Sequence, residues 1–505
     1  MKKILINENP WQTRVAITRD DELQNIYFSS HTTESLERSF FKAVITKILP
    51  GIQTAFVDIG HERAGFLHIS EIDRELAIHR MTSIGQLEDI EDEEHAPKPE
   101  PVTRQQLDIS KILKEGETIL VQVSKEPVYE KGAKLTTCFT LPGRFLVLMP
   151  NIPRIGISKK IESKEERQRL KDLLTAHLPQ GMGAIIRTTS ELQGGDEILQ
   201  DLEYLLDTWN TISKRYQEAA PKEKIHEDID LSLQAVRDHL DDDVEVVIVD
   251  NHDTESRIYK FVKATAPEHA HKVRYYEGPP SLFDKFDIEN QIEQALQKKV
   301  YLKSGGSIVI ETTEAMTVID VNTGRYIGQT NLEDTILKTN LEAAEAVTRQ
   351  LRLRNIGGLI VIDFIDMSSS ANRQKLFRVF EKTLKERDKF QSVVLKVSEF
   401  GLVQMTRKRS GKTLIQQLTN QCPTCYGSGF IKSLPNESFA ILRRLKQELE
   451  SRKIGGSLML YVHPSVFHYI SNTEYNTILI LEKTYKCKIT LVSKEQCALG
   501  SYKVN

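Results

Sequence analysis

Three features that are scarce or missing in this sequence exclude whole classes of protein. Only five cysteines occur in 505 residues, too few for the disulfide framework of a small secreted domain. No apolar run reaches the roughly 18 residues of a membrane-spanning helix. The amino terminus begins with a lysine pair, as a secretory signal does, but Asn7, Glu8 and Asn9 interrupt the apolar stretch that a signal requires. We therefore expect a cytoplasmic protein without a membrane span.

A strong excess of positive charge is also missing. The chain carries 68 lysines and arginines against 71 aspartates and glutamates, a formal net charge of −3. This balance gives no general attraction for nucleic acids, so any contact with them must come from local basic patches. The composition, 39% hydrophobic and 28% charged, is ordinary for a globular protein, and the length predicts several domains.

The patterns of strands, helices and turns predict a multidomain α/β protein. Short strands at the amino terminus are too few to bury a core, and the α/β segment 232–295 could take them up. Changes in pattern and composition divide the chain into the segments 1–34, 35–137, 138–231, 232–295, 296–417, 418–432 and 433–505.

The segment 35–137 carries closely spaced short strands separated by glycine and proline, which predicts a small barrel. An acidic, proline-bearing stretch near residues 81–108 interrupts it and is predicted to be a mobile surface loop. The run TAFVDIGHERAGFLHISEI resembles the RNA-binding OB-fold barrel of ribosomal protein S-one. In that arrangement Phe56, Phe66 and His68 lie on the exposed face and stack on unpaired bases. The alternative is that both phenylalanines are core residues.

Two strand-like runs in the segment 296–417 each place an aspartate where an apolar residue is expected. Asp320 stands in TVIDVN and Asp363 in LIVIDF, and the connection between them can bring both to neighbouring strand ends. Because a buried carboxylate without a partner is costly, the pair suggests a shared cation, and oxygen ligands favour Mg²⁺ or Mn²⁺. Asn322, two residues along the same strand face, could orient a ligand, and Asp366 is a weaker third candidate. The alternative is that these residues only cap strands or lie on the surface.

A second metal motif follows in CPTCYGSG. Cys422 and Cys425, with the glycines after them, form a knuckle whose two thiolates can reach one metal ion. Tetrahedral zinc needs four ligands and the chain offers no second knuckle, which leaves a site completed by a second subunit or a redox dithiol. The glycine-rich surroundings and the absence of a thioredoxin-like pattern favour zinc. Cys138, Cys487 and Cys497 are predicted to be small core residues.

Another predicted strand, in GMGAIIRTTS, ends in an arginine and a threonine. The guanidinium fork of Arg187 beside the hydroxyl of Thr188 suits a phosphate group, which arginine holds with two parallel hydrogen bonds. The alternative is an ordinary solvated pair at a strand end.

Four segments behind the OB-like run resemble the ribonuclease E/G family, and the resemblance covers nearly the whole chain. They are GGSIVIETTEAMTVIDVNTG, KTNLEAAEAVTRQLRLRNIGGLIVIDFIDM, FGLVQMTRKR and CPTCYGSG. The G branch of the family is the most similar. The resemblance implies a split RNase H-like domain from 1–34 and 232–295, an inserted OB-fold barrel and 5′-sensor region, a DNase I-like catalytic domain over 296–417, a zinc knuckle and a small carboxy-terminal α/β domain.

The same resemblance implies roles for individual residues. The family's two Mg²⁺-binding aspartates and their supporting asparagine match Asp320, Asp363 and Asn322. Its shared zinc half-site matches Cys422 and Cys425. The RNA-contacting positions of the OB-fold and its border match Phe56, Phe66 and Lys131. The pocket for a 5′-monophosphate matches Arg187 and Thr188, with Gly143 and Val147 at its wall.

The resemblance therefore implies a Mg²⁺-dependent endoribonuclease that cuts single-stranded A/U-rich RNA with a metal-activated water and leaves 5′-phosphate and 3′-hydroxyl ends. A 5′-monophosphate on the substrate is expected to stimulate it, and maturation of ribosomal RNA 5′ ends and decay of messenger RNA are the expected roles. A structural Zn²⁺ is expected at the interface of a homodimer, which could pair into a dimer of dimers. The alternative function is a non-catalytic RNA-binding or structural protein.

Overall fold

The computed structural model describes most of the chain. It covers residues 1–32, 35–73, 108–127, 132–159, 161–323, 332–388, 390–398, 400–409, 411–452 and 456–504. The chain divides into two compact units, 1–417 and 418–505. Among the helices of the described residues, none has both the length and the apolar character that crossing a membrane requires.

The strands, in chain order, are β1 (Lys2–Asn9), β2 (Gln12–Arg19), β3 (Glu22–Ser30), β4 (Phe40–Leu49), β5 (Thr54–Asp58), β6 (Gly65–His68), β7 (Thr118–Lys125), β8 (Lys134–Thr136), β9 (Leu141–Pro142), β10 (Leu146–Met149), β11 (Ile155–Ile157), β12 (Gly183–Ile186), β13 (Lys224–His226), β14 (Val244–Val249), β15 (Val273–Tyr275), β16 (Lys299–Tyr301), β17 (Ser307–Thr312), β18 (Met316–Asn322), β19 (Gly358–Asp363), β20 (Ser392–Val394), β21 (Leu402–Arg407), β22 (Gly456–Val462), β23 (Cys487–Ser493) and β24 (Tyr502–Val504). The helices are α1 (Ile109–Ile112), α2 (Lys164–His177), α3 (Gly195–Glu218), α4 (Leu231–His239), α5 (His252–Thr265), α6 (Leu282–Lys285), α7 (Ile288–Leu296), α8 (Leu332–Leu353), α9 (Ser370–Arg387), α10 (Leu414–Leu418), α11 (Leu434–Arg452), α12 (Pro464–Thr473) and α13 (Tyr475–Tyr485).

A five-stranded sheet joins the amino terminus to the middle of the chain. Its order is β15–β14–β1–β2–β3, with β1 parallel to β14 and antiparallel to β2. Ile4 and Ile6 of β1 pack toward α4 and α5, whereas Leu5 packs on the other face toward α6 and α7. Because helices cover both faces of β1, its apolar residues are continuous. The amino-terminal strands thus share the core of the segment 232–295. That this domain is RNase H-like stays a prediction.

The predicted barrel is confirmed. Its strands are paired in the order β4–β5–β6–β8–β7, and β7 also pairs with β4, which closes the sheet. Alternate side chains fill its interior, among them Ile45, Val57, Leu67 and Val121. The predicted acidic loop falls outside the described residues, except for Asp108, which caps α1.

A four-stranded sheet, ordered β11–β12–β10–β9, follows the barrel and positions the predicted phosphate site. Helices α2 and α3 pack on it through residues such as Leu174 and Leu202. Phe139 contacts both Phe40 of β4 and Trp209 of α3, with ring centroids 5.5 Å apart in each pair. These contacts fix the sheet against the barrel, so Arg187, which follows β12, has a rigid support.

The six-stranded sheet of the segment 296–417 is ordered β16–β17–β18–β19–β21–β20. Helices α8 and α9 cover one face, where Ile319 and Ile360 pack against Val347 and Phe380. The opposite face carries polar and partly exposed apolar residues. Helix α8 ends where the chain turns, since Asn355 and Gly358 after it adopt positive φ angles of 51° and 99°.

The second unit has its own α/β core. Strand β22 lies between β23, to which it is parallel, and β24, to which it is antiparallel. Helices α11, α12 and α13 pack on this sheet. Cys487 and Cys497 are buried as predicted, whereas Cys138 of the first unit is only half-buried and the prediction of a core position was wrong for it.

Candidate functional site

Asp320 and Asp363 lie side by side at the ends of two neighbouring strands. β18 and β19 are parallel, and the register pairs Asp320 directly with Asp363, so their Cα atoms are separated by about the 4.8 Å spacing of adjacent strands. The expectation that these carboxylates are buried was wrong, because both are exposed. The alternate residues Ile319 and Ile362 face the helices, and the aspartates therefore face the open side of the sheet.

The electrostatics of the pair favour a bound cation. Asn322 donates a hydrogen bond from Nδ2 to Oδ2 of Asp320 at 2.8 Å, which orients that carboxylate. Partial burial, together with the negative charges of Asp320 and Asp366, raises the pKa of Asp363. A divalent cation would remove this repulsion between like charges.

The donors fit Mg²⁺ better than zinc. Among the described residues, no group of three or more His, Cys, Asp or Glu side chains could enclose a metal ion. Two carboxylates are enough for Mg²⁺, which keeps several water or phosphate oxygens in its octahedral shell. Asp320 and Asp363 would hold it, with Asn322 positioning the first of them.

The loop after Asp363 is fixed by residues that the sequence analysis missed. Asn340 of α8 is fully buried; its Nδ2 donates to the carbonyl of Ile365 at 2.8 Å, and its Oδ1 accepts from the N–H of the same residue at 3.0 Å. Glu333 accepts a hydrogen bond from the N–H of Ser369 at 3.1 Å. A buried asparagine on an otherwise apolar helix face was the signal that could have revealed this support.

The two phenylalanines of the barrel lie on its outer surface. Phe56 of β5 and Phe66 of β6 are register partners, whereas their neighbours Ala55 and Leu67 fill the interior. Phe56 is 37% exposed and Phe66 is half-buried, so the alternative that both are core residues was wrong. Adjacent rings that are at least partly exposed offer a surface on which bases could stack.

His68 and Lys131 are also predicted to contact RNA beside these rings. His68 caps the turn at 69–71, because its Nδ1 accepts from the N–H of Ser70 at 3.1 Å. Its role is therefore at least partly structural. Lys131 lies outside the described residues.

Arg187 and Thr188 lie together at the edge of the four-stranded sheet. Nη1 of Arg187 donates to the carbonyl oxygen of Gly143 at 2.6 Å and forms an ion pair with Oδ1 of Asp238 at 2.8 Å. The Thr188 hydroxyl lies 2.9 Å from that of Ser158. The Arg187 side chain is 24% exposed and ion-paired, whereas Thr188 is exposed; the phosphate-binding role of the pair stays a prediction.

The turn at Gly143, which is predicted to form the wall of the phosphate pocket, has a fixed backbone. The half-buried carboxylate of Asp201 accepts hydrogen bonds from the N–H groups of Arg144, Phe145 and Leu146 at 3.1, 2.9 and 3.0 Å. A Cβ at Gly143 would collide with that carboxylate, so the turn requires glycine. Val147 follows on β10, half-buried beside Ile185. Sequence reasoning missed Asp201, which lies on α3, and Asp238, which lies far from Arg187 along the chain.

Cys422 and Cys425 belong to a tight turn in the second unit. The N–H of Tyr426 donates to the carbonyl of Cys422, and that of Ser428 to the carbonyl of Cys425, each at 2.9 Å. Hydrogen bonds from the backbone N–H groups of Cys425 and Thr424 lower the pKa of Cys422, which favours the thiolate. Cys422 is exposed and Cys425 is partly exposed, so both sulfurs could serve as metal ligands.

Sequence comparisons place these sites in a family. The model of the ribonuclease E/G family matches residues 140–410. The chain belongs to the ribonuclease E/G family. A second model, described as the RNase E/G thioredoxin-like domain, matches residues 421–505. This match corrects the expectation that a thioredoxin-like pattern is absent, because the domain as a whole is of that type. Cys422 and Cys425 lie in a turn before its first helix.

Curated members of the ribonuclease E/G family are similar along almost the whole chain. Ribonuclease G of Escherichia coli (strain K12) is 36% identical over 480 residues, 95% of this chain and 94% of that protein. Ribonuclease G of Haemophilus influenzae is 36% identical over 496 residues, 98% and 97% of the two chains. Ribonuclease E of Haemophilus influenzae is also 36% identical, over 501 residues, but these are only 51% of that protein. As a member of this family the protein is an endoribonuclease.

Proposed function

We propose that this protein is a Mg²⁺-dependent endoribonuclease that cleaves single-stranded A/U-rich RNA and leaves 5′-phosphate and 3′-hydroxyl ends. The observation that carries the proposal is the pair Asp320 and Asp363, which are register partners on the open face of a sheet. When bound there, Mg²⁺ would polarise the scissile phosphodiester and activate water.

The residues around the pair support this chemistry by position. Asn322 holds the carboxylate of Asp320, so one ligand is oriented before the cation binds. The backbone of Ile365, tied to Asn340, keeps the loop after Asp363 in place. Among the described residues, helices cover the other face of the sheet and both carboxylates are exposed, which would let an extended RNA strand reach them.

Two further surfaces would select the substrate. The adjacent rings of Phe56 and Phe66 suit the stacking of unpaired bases, which favours single-stranded RNA. Arg187 and Thr188 would bind a 5′-monophosphate and thereby stimulate cleavage. Ribosomal RNA precursors and messenger RNA are the proposed substrates.

The cysteine knuckle would join two protomers. Cys422 and Cys425 supply two thiolates, and the same pair from a second copy would complete tetrahedral Zn²⁺. The proposed assembly is thus a homodimer, which could pair further into a dimer of dimers.

The function is tested with Asp320→Asn and Asp363→Asn, using RNA with a 5′-monophosphate or 5′-triphosphate, with and without Mg²⁺. Each variant is expected to lose about a thousandfold or more in cleavage rate, because several kcal/mol of transition-state stabilisation depend on the cation. RNA binding measured in EDTA should be retained. Glu311→Gln, an exposed change on β17 of the same sheet, is the control and should cut normally. Wild-type cleavage by either aspartate variant, or cleavage in EDTA, would contradict the proposal.

A further inference from the structure

Among the described residues, one nitrogen of the Arg187 guanidinium contacts protein acceptors and the other two do not. Both bonds to protein acceptors, the carbonyl of Gly143 at 2.6 Å and Oδ1 of Asp238 at 2.8 Å, involve Nη1. In the described part of the chain, Nε and Nη2 have no protein acceptor. These two nitrogens form the side edge of the fork, which can hold two oxygens of one phosphate.

Asp238 is itself held in place from the other side. It belongs to α4, and the neighbouring guanidinium of Arg237 lies 3.3 Å from its Oδ1 through Nε and 3.4 Å from its Oδ2 through Nη2. Arg237 is 6% exposed and is anchored by the carbonyl of Pro142 at 3.1 Å. The carboxylate of Asp238 therefore has a fixed position relative to the phosphate site.

The carboxylate stays charged at neutral pH. Burial alone would raise the pKa of Asp238, but the guanidiniums of Arg237 and Arg187 hold it well below the ordinary value. An anion that binds the free edge of Arg187 thus meets a permanent negative charge behind the same guanidinium. The repulsion grows in proportion to the charge of the anion.

We propose that Asp238 is a specificity-determining residue, which fixes the orientation of Arg187 and disfavours RNA 5′ ends that carry more charge than a monophosphate. The inference rests on the proposed 5′-monophosphate site. A monophosphate carries about −1.5 to −2 at pH 7, and a triphosphate carries roughly twice as much. The cost imposed by Asp238 is therefore greater for a triphosphate end, although both ends offer oxygens to the same guanidinium.

The test compares RNA oligonucleotides of one sequence with a 5′-hydroxyl, 5′-monophosphate or 5′-triphosphate, labelled at the 3′ end. Binding is measured by fluorescence anisotropy in EDTA for the wild type and for Asp238→Asn, which keeps an acceptor for Nη1 but removes the charge. We expect the preference for monophosphate over triphosphate to fall on the order of tenfold, because triphosphate binding tightens most. Binding of the 5′-hydroxyl RNA should not change.

Two control variants separate charge from position. Glu245→Gln removes one charge from an exposed position on β14 and should leave all three affinities unchanged. Asp238→Glu retains the charge and should retain the preference. If circular dichroism shows that Asp238→Asn does not fold, Asp238→Ser is used in its place. Failure of both to fold would overturn the inference in favour of a structural role.

The remaining outcomes distinguish the inference from the function on which it rests. Equal binding of monophosphate and hydroxyl ends by the wild type would refute the proposed phosphate site. The other outcome concerns Asp238 alone. If the wild type binds the monophosphate end more tightly than the hydroxyl end, but Asp238→Asn keeps the wild-type ratio of monophosphate to triphosphate affinity, the role of Asp238 is overturned and the phosphate site is not.

Discussion

Removing the carboxylate of Asp388 is expected to destabilise strongly the six-stranded sheet that carries Asp320 and Asp363. Arg407 of β21 and Asp388 form a bidentate pair, with Nε–Oδ2 at 2.7 Å and Nη2–Oδ1 at 3.1 Å. Their side chains are 0% and 2% exposed. Nη1 of Arg407 also donates to the carbonyl of Ile356 at 2.7 Å, just before β19. The pair therefore ties the helix end at Asp388 to the strand that neighbours Asp363.

The loss of stability in Asp388→Ala can be estimated from the burial of both side chains. Asp388→Ala leaves a buried guanidinium without its counter-charge, which costs about 3–5 kcal/mol. An exposed pair of the same sheet provides the comparison: Lys298 and Glu311 lie 2.9 Å apart but are 75% and 58% exposed. Such a pair contributes about 1 kcal/mol at most, so Glu311→Ala should change stability little.

Hydrogen exchange followed by mass spectrometry measures this difference locally. For Asp388→Ala, the amides of β19 and β21 should exchange about 100 to 4,000 times faster than in the wild type, since each 1.4 kcal/mol is worth a factor of ten. The double variant Asp388→Leu with Arg407→Met should recover most of the protection, because neither buried charge remains. Equal protection in Asp388→Ala and Glu311→Ala would refute the reasoning.

Three shorter predictions concern the other sites. Phe56→Ala should weaken binding of single-stranded RNA about 5- to 150-fold in a titration, since stacking contributes about 1–3 kcal/mol per base; unchanged affinity would exclude the ring from the RNA surface. Cys422→Ser should release zinc and shift a dimer toward monomer, measured by metal analysis and sedimentation; unchanged mass and metal content would refute the shared site. Because the pKa of Asp238 is lowered, its stabilising effect is present above the unfolded value of 3.8 and is lost as pH falls through the folded value. The melting temperatures of wild type and Asp238→Asn should therefore differ at pH 7 and converge in acid, and a constant difference would contradict this assignment.

Local pattern was enough to predict the sheet and the neighbouring positions of Asp320 and Asp363. Their exposure was not predictable in the same way, because partly exposed Val318 and Val361 share their face and make both strands look buried on two sides. Which face helices cover depends on the path of α8 and α9, and that is decided by tertiary packing.

The surroundings of Arg187 show a different limit of pattern reasoning. Asp238 and Asp201 reach it only after α3 and α4 have packed against the sheet. No spacing rule connects an arginine after a strand with a carboxylate on a later helix, and Asp238 even belongs to another segment of the chain. Asn340 differs, because a polar residue among the apolar positions of a helix is visible in the sequence.

The parallel pairing of β1 with β14 has a consequence for synthesis of the protein. Ile4, Leu5 and Ile6 are fully buried in the finished sheet, but their partners lie near residue 248. At about 5–20 residues per second, a ribosome needs roughly 10–50 s to make the intervening chain. During that time the barrel and the four-stranded sheet can fold first, while β1 keeps an unpaired apolar edge of the kind that promotes aggregation. The first strand to be made is thus among the last to be completed.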